Sequence, residues 1–394
     1  MSHRLSQPSM ISALGMTPAE SLTALLNHDQ RGLVWRDDLH PEQSVLVGQA
    51  APLTTPLQGS LAKWDCRNNR MLNYCCEQLM PQLQPLLNDF GADRIGVIIG
   101  TSTSGIAEYE LALAHQQQFG QLPNDYHYRK QEIGSGAQFV ADRIGANGPA
   151  YTISTACSSS AKALAAAARM LDSGLVDAVV CGGCDSLSQL TINGFCALQS
   201  YAQGHCRPLA EDRDGINIGE AAVLFVMTRD SGGIQLAGFG ESSDGYHVSA
   251  PEPHGRGAET AMRLALESAN LSAAKVDYLN LHGTATPLND EMECLAIYRL
   301  CRDKVPVSST KALTGHTLGA AGALEAALAW LLLSDLNHQR QLPSHANHYP
   351  LDPTLAPVLL ASHQHRLPAN GGTILSNSFA FGGSNISLLI RRLE

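Results

Sequence analysis

Apolar positions in this chain fall into short continuous runs separated by glycine- and proline-containing turns. Runs at 95–100, 151–155, 178–182 and 221–228 read as strands buried on both faces, and so do 234–240, 276–282, 305–308, 373–378 and 385–391. Between them lie helix-like stretches at 157–171, 257–270, 290–300 and 319–334. A weaker run at 9–14 supplies an opening strand. Strands alternating with helices predict an α/β protein with substantially parallel sheets. The elements repeat in order, so each part of the chain fits a β-α-β-α-β-α-β-β unit, a structural duplication without an obvious sequence repeat. The break falls near Asp230, where Arg-Asp-Ser-Gly-Gly reads as a turn, giving halves 1–231 and 232–394. Segments 39–60 and 116–130 read as excursions that cover the core or meet a partner.

Composition narrows the class. At 394 residues the chain is long enough for two packed domains, and 44% hydrophobic against 16% charged residues describes a folded enzyme. A net charge of −10 argues against a nucleic-acid binder. The ten cysteines are scattered, and without a secretory h-region at the N-terminus they are expected to be reduced thiols of a cytoplasmic protein. The most apolar stretch, near 326–333, follows Glu325 and is too short to span a bilayer.

Candidate chemistry centres on Cys157, between a strand and an alanine-rich helix, where the helix dipole is expected to favour a nucleophilic thiolate. Thr155-Ala156 makes a tight entry, mechanically like a nucleophile elbow, and the serines after Cys157 leave the first helical turn free to face a ligand. Two later loops offer partners. Leu-His-Gly-Thr-Ala-Thr-Pro carries His282 with Thr284 and Thr286, and Lys-Ala-Leu-Thr-Gly-His carries Lys311 and His316, with Glu325 downstream to pair with the lysine. Near the end, Ser-Phe-Ala-Phe-Gly-Gly-Ser-Asn places Phe379 and Phe381 beside two glycines.

Taken together, Thr-Ala-Cys-Ser-Ser, His-Gly-Thr-Ala-Thr-Pro, Lys-Ala-Leu-Thr-Gly-His-Thr-Leu-Gly-Ala-Ala-Gly and Phe-Gly-Gly-Ser-Asn resemble the β-ketoacyl-acyl-carrier-protein synthases of the I/II type, in the thiolase superfamily. The segment 212–220 and the stretch 239–244 match as well. The resemblance implies a thiolase-like duplicated fold in five α-β-α-β-α layers. It implies that Cys157 takes an acyl chain from a carrier-protein thioester, and that His282 and His316 stabilise the enolate left when malonyl-carrier protein loses carbon dioxide. Lys311 and Glu325 would order the histidine loop, and backbone N–H groups of Cys157 and Phe381 would form the oxyanion hole. Thr284 and Thr286 would hold the phosphopantetheine arm, Phe379 would contact substrate, and Phe381 would gate the acyl pocket. No metal or cofactor is implied. The implied partners are acyl carrier protein and a second identical or related chain, and the product enters fatty acid, polyketide or aryl-polyene elongation. The alternative within the superfamily is a non-condensing chain-length-setting subunit, against which the intact Cys157 argues. A thiolase would carry a second catalytic cysteine in 379–394, which has none, and a third-type condensing enzyme would carry asparagine where His316 stands.

Four further expectations are specific to this chain. Glu108 and Tyr109 stand where the family carries small or apolar residues, so they are expected at the far end of the acyl pocket, favouring polar, conjugated or aryl-capped primers. Ala380 replaces a usual glycine and is expected to stiffen the gate. Lys63, Arg67, Arg70, Arg129 and Lys130 are the basic residues expected to dock the acidic carrier protein. The alanine-rich helix, too apolar to face water, is expected to be covered in a dimer.

Overall fold

A computed structural model describes residues 2–345 and 349–393. The chain opens with strands β1 (His3–Leu5) and β2 (Ser9–Ser12), helix α1 (Pro18–Leu26) and a hairpin of β3 (Leu33–Arg36) and β4 (Val45–Gly48). Then come α2 (Arg67–Phe90), β5 (Ile95–Gly100), α3 (Ile106–Phe119), α4 (Ser135–Ile144), β6 (Ala150–Ile153), α5 (Ser159–Asp172), β7 (Ala178–Asp185), α6 (Gln189–Ala197) and β8 (Ala221–Thr228). The remainder runs β9 (Ile234–Ser243), α7 (Arg256–Ser268), β10 (Tyr278–Asn280), α8 (Pro287–Cys301), β11 (Pro306–Ser308), α9 (Lys311–Thr314) and α10 (Ala321–Leu333). It closes with β12 (Leu359–Leu360), β13 (Gly372–Ala380) and β14 (Ser384–Arg392).

Strand pairing exposes the duplication. The first part orders its strands β6-β5-β7-β8-β2 and the second β11-β10-β13-β14-β9, with the first three of each set parallel and the last two antiparallel. Each set therefore has the order 3-2-4-5-1 in its own numbering. Short β1 pairs with both β8 and β9 and joins the two sets into one hydrogen-bonded sheet.

Alternating side chains on each strand serve different layers. Val97 and Ile99 pack outward under α2 and α4, whereas Ile98 of the same strand points into the central layer with α5 and α10. Leu375 packs outward under α7 and α8, whereas Ile374 faces the centre. The result is the expected α-β-α-β-α stack, and burial on both faces explains why these strands read as unbroken apolar runs. The alanine-rich α5 is buried inside its own chain, where Gly322 of α10 packs against Ala161. Its composition therefore reflects close packing between two central helices, and the expectation that a dimer covers it is corrected.

The hydrophobic pattern predicts no helix over 67–90, and the two excursions are not bare loops. Helix α2 carries buried Leu72, Leu79 and Leu83 on one face, but Pro81 and Pro85 lie within it and disguise the helical pattern. The excursion at 39–60 contains β4, and 116–130 begins inside α3. Among the described residues, no helix is long and apolar enough to cross a membrane.

Candidate active site

The chemistry sits at the carboxyl ends of corresponding strands. Cys157 lies between β6 and α5, and His316 between β11 and α10, the same place in each repeat. After β6 the chain turns sharply through Ala156, whose φ of 53° is unusual for a side-chain-bearing residue. Ser158 donates to Thr155 O at 2.7 Å, and Ser159 to Ala156 O at 2.5 Å. These serines lock the elbow instead of leaving it free for a ligand. Behind it, a Cβ on Gly100 would lie 2.3 Å from the Ser160 backbone, so glycine is required for this approach.

Cys157 is buried, and burial pushes its thiol up to about 11, although the Lys311 charge and the N–H groups of Phe381 and of Cys157 itself pull the other way. The expectation of a resting thiolate is thereby corrected. Cys157 precedes the cap residue Ser158, and loss of hydration outweighs what the helix terminus supplies.

His316 Nε2 lies 2.9 Å from Cys157 Sγ, and its Nδ1 accepts the Leu318 N–H at 3.2 Å. A neutral ring accepting at Nδ1 carries its proton on Nε2, which therefore points at the sulfur. Burial, with the nearby Lys311 charge, holds both His282 and His316 well below the ordinary histidine range, so both are neutral. Their rings meet edge to face at 5.4 Å, and a nitrogen of each lies with the sulfur in a cluster within 4.8 Å.

Backbone contacts hold these rings in place. The N–H groups of His282 and Gly283 both donate to Glu293 at 2.8 Å, and Asn377 donates to the same carboxyl, which burial raises to about 7. His316 N donates to Asn217 O at 2.6 Å, and Gly219 N donates back to His316 O at 2.9 Å. The segment 216–219 thus serves as a splint for the histidine loop. Sequence reasoning matched that segment but assigned it no task, and it missed Glu293 altogether; the available signal was an acid on the helix just after His-Gly-Thr. Lys311 and Glu325, both buried, pair at 2.5 Å.

Two cavities meet at the thiol. One, of about 250 Å³, is lined by His282, His316, Thr284, Thr286 and Phe379. The hydroxyls of Thr284 and Thr286 are 2.8 Å apart, across Ala285 with its positive φ of 59°. The other, of about 630 Å³, is lined by Tyr109, Ile106, Ile133 and Leu190. Cys157, Phe195 and Phe381 line both, and the two phenylalanine rings pack at 5.6 Å. Ala380 has an ordinary extended backbone (φ −89°, ψ 155°), while Gly382 and Gly383 take the left-handed values beside Phe381.

Other expected residues fall elsewhere. Tyr109 reaches the larger cavity and packs at 6.2 Å against Tyr126, but Glu108 is not among its lining residues and its charge acts instead on Cys66 and Arg70. The docking patch also comes apart. Arg67 pairs with Glu220 at 2.7 Å and donates to Ala50 O and Ala51 O, Arg70 pairs with Asp65 at 2.7 Å, and Lys130 is buried. Arg67 and Arg70 thus tie parts of the fold together, and Lys130 is withdrawn from the surface. Lys63 and Arg129 both lie 5.1 Å from the Trp64 ring and remain partly exposed.

Comparison with known proteins matches most of the chain. The family description "Beta-ketoacyl synthase, N-terminal domain" matches residues 68–232, and "Beta-ketoacyl synthase, C-terminal domain" matches 234–347. The chain belongs to the β-ketoacyl synthase family. The protein is similar to the 3-oxoacyl-[acyl-carrier-protein] synthase 2 of Staphylococcus aureus (strain N315), with 32% identity over 330 residues, 78% of this chain and 77% of that one. The Synechocystis protein of the same name is 29% identical over 339 residues, 81% and 80% of the two chains. Among solved structures, "Ketosynthase (ApeO) in Complex with its Chain Length Factor (ApeC) from Xenorhabdus doucetiae" contains a chain with TM-score 0.93 and 39% identity, covering 100% of this chain and 98% of that one. A β-ketoacyl synthase from Burkholderia phymatum STM815 gives TM-score 0.88 at 26% identity, covering 100% of both chains. This β-ketoacyl synthase is therefore a condensing C-acyltransferase with a thiolase-like fold.

Proposed function

We propose that this synthase condenses an acyl chain held on Cys157 with malonyl-acyl-carrier protein, using the residues around the thiol as follows. The observation that carries the assignment is the cluster of one thiol and two neutral imidazoles where two cavities meet. Cys157 sulfur attacks the primer thioester, the new S–C bond replaces the pantetheine S–C bond, and the thiol proton leaves on the departing pantetheine sulfur. Malonyl thioester then enters past Thr284 and Thr286. As its C–C bond to the carboxylate breaks, the electron pair becomes an enolate whose oxygen accepts N–H bonds from His282 and His316. Neutral rings suit this task, because they donate without holding a competing charge. With the carboxylate gone as carbon dioxide, the enolate carbon attacks the Cys157 thioester, the N–H groups of Cys157 and Phe381 hold the tetrahedral oxyanion, and the sulfur leaves as a thiolate that takes a proton from solvent to restore the thiol. No resident metal or cofactor takes part.

The 630 Å³ cavity receives the primer, and its aromatic wall supports a preference for flat conjugated or aryl-capped chains over saturated ones. This would place the enzyme in polyene or polyketide elongation more than in ordinary fatty acid synthesis. Offering carrier-bound primers of equal length, one saturated and one polyunsaturated, tests this by product mass; the conjugated primer should turn over faster, and equal rates would overturn the primer reading.

We further infer a dimer with an identical or related chain through the free edge of β6, where Tyr151 is 42% exposed. The ketosynthase–chain length factor complex named above is a related assembly. A monomer in light scattering at micromolar concentration would contradict it. Carrier protein would dock beside Lys63 and Arg129, in a cytoplasmic setting.

A further inference from the structure

We propose that Glu110 is a positioning residue that sets the shape of the acyl cavity and thereby which primers Cys157 accepts. The inference rests on the reading that the 630 Å³ cavity receives the acyl chain.

One wall of that cavity is built from two helices. Helix α3 supplies Ile106 and Tyr109, and α6 supplies Leu190, Thr191 and Phe195. Neither helix is well anchored by core packing, since Ala112 is the buried residue of α3 and Ile192 that of α6. Their spacing must come from polar ties instead. Glu110 makes a direct one, its two carboxylate oxygens accepting the N–H of Gln189 at 3.0 Å and of Leu190 at 2.7 Å. Those are first-turn donors of α6, which have no partner within their own helix, and a carboxylate there also meets the positive end of the dipole.

Position gives the tie its leverage. Glu110 adjoins Tyr109, and Leu190 is itself one of the two bonded residues, so a lining side chain from each helix sits at the contact. On its other side α6 is held to the hairpin loop by Gln189 Nε2 donating to Asp38 O at 2.9 Å and Asn193 Nδ2 donating to Leu39 O at 3.3 Å. Losing the carboxylate leaves α6 attached to the hairpin but released from α3. The gap between Tyr109 and Leu190 then changes, and Phe195, farther along α6, carries the shift to Phe381.

The test compares wild type, Glu110→Ala, Glu110→Gln and Glu110→Asp. Intact-protein mass spectrometry follows acylation of Cys157 by a short and a long primer thioester, alongside malonyl decarboxylation and melting temperature. The long-to-short acylation ratio should move about tenfold in the Ala and Gln variants, the scale on which pocket shape discriminates chains differing in size. Decarboxylation should stay at the wild-type rate, and Asp should recover part of the original ratio. An unchanged ratio, or an equal loss for both primers with a lower melting temperature, overturns the proposal. If wild-type Cys157 takes up no primer at all, the reading of the cavity fails first and this inference falls with it.

Discussion

Replacing Cys157 with Ala should abolish condensation, by about a thousandfold or more, while the fold and the melting temperature remain near wild type. The side chain lies where two cavities meet, so its removal takes away the atom proposed to hold the acyl chain and little else. In the proposed scheme malonyl decarboxylation uses His282 and His316, so it should survive in Cys157→Gln, whose amide stands in for the acyl thioester. Product mass distinguishes the two activities; wild-type condensation by the Ala variant would end the mechanism. The protonated thiol adds a pH signature. With the thiol raised to about 11, the thiolate fraction at neutral pH is small. Alkylation of Cys157 by iodoacetamide should therefore rise by about tenfold per pH unit between pH 7 and 9. A plateau below pH 8 would mean that the thiolate is already formed at rest.

Lys311→Ala should cost about 3 kcal/mol or more of stability, because it strands the buried Glu325 carboxyl without its cation. The double variant Lys311→Met with Glu325→Leu removes both charges and fills their space. It should regain most of that stability in denaturant titrations. Activity should not return with it, since Lys311 lies close enough to Cys157, His282 and His316 for its charge to act on all three. Full activity in the double variant would reduce the pair to a structural role.

The site's core was legible because its chemistry is tied to short local motifs. Cys157 and His282 each follow a strand and His316 follows the short helix α9, all flanked by small or glycine residues that permit a tight turn, and the structure brings all three within 4.8 Å. Glu293 was not legible in the same way. An acid on a helix reads as solvated surface until folding places it under the His282 backbone. The basic residues failed for a related reason: a string gives the sign of a charge but not its partner. Arg67 and Arg70 read as a docking patch, yet Glu220 and Asp65 occupy them.

By itself the sequence determined the alternation of strands and helices, the duplicated order of elements and the family the chain belongs to, because these depend on period, turn residues and side-chain chemistry close along the chain. Only the tertiary structure decided the protonation of Cys157, the Nε2 proton of His316, the burial of α5 against α10 and the tie from Glu110 to α6. Those depend on desolvation and on contacts between residues far apart in the chain; Cys157 and His316 are separated by 159 positions and meet at 2.9 Å.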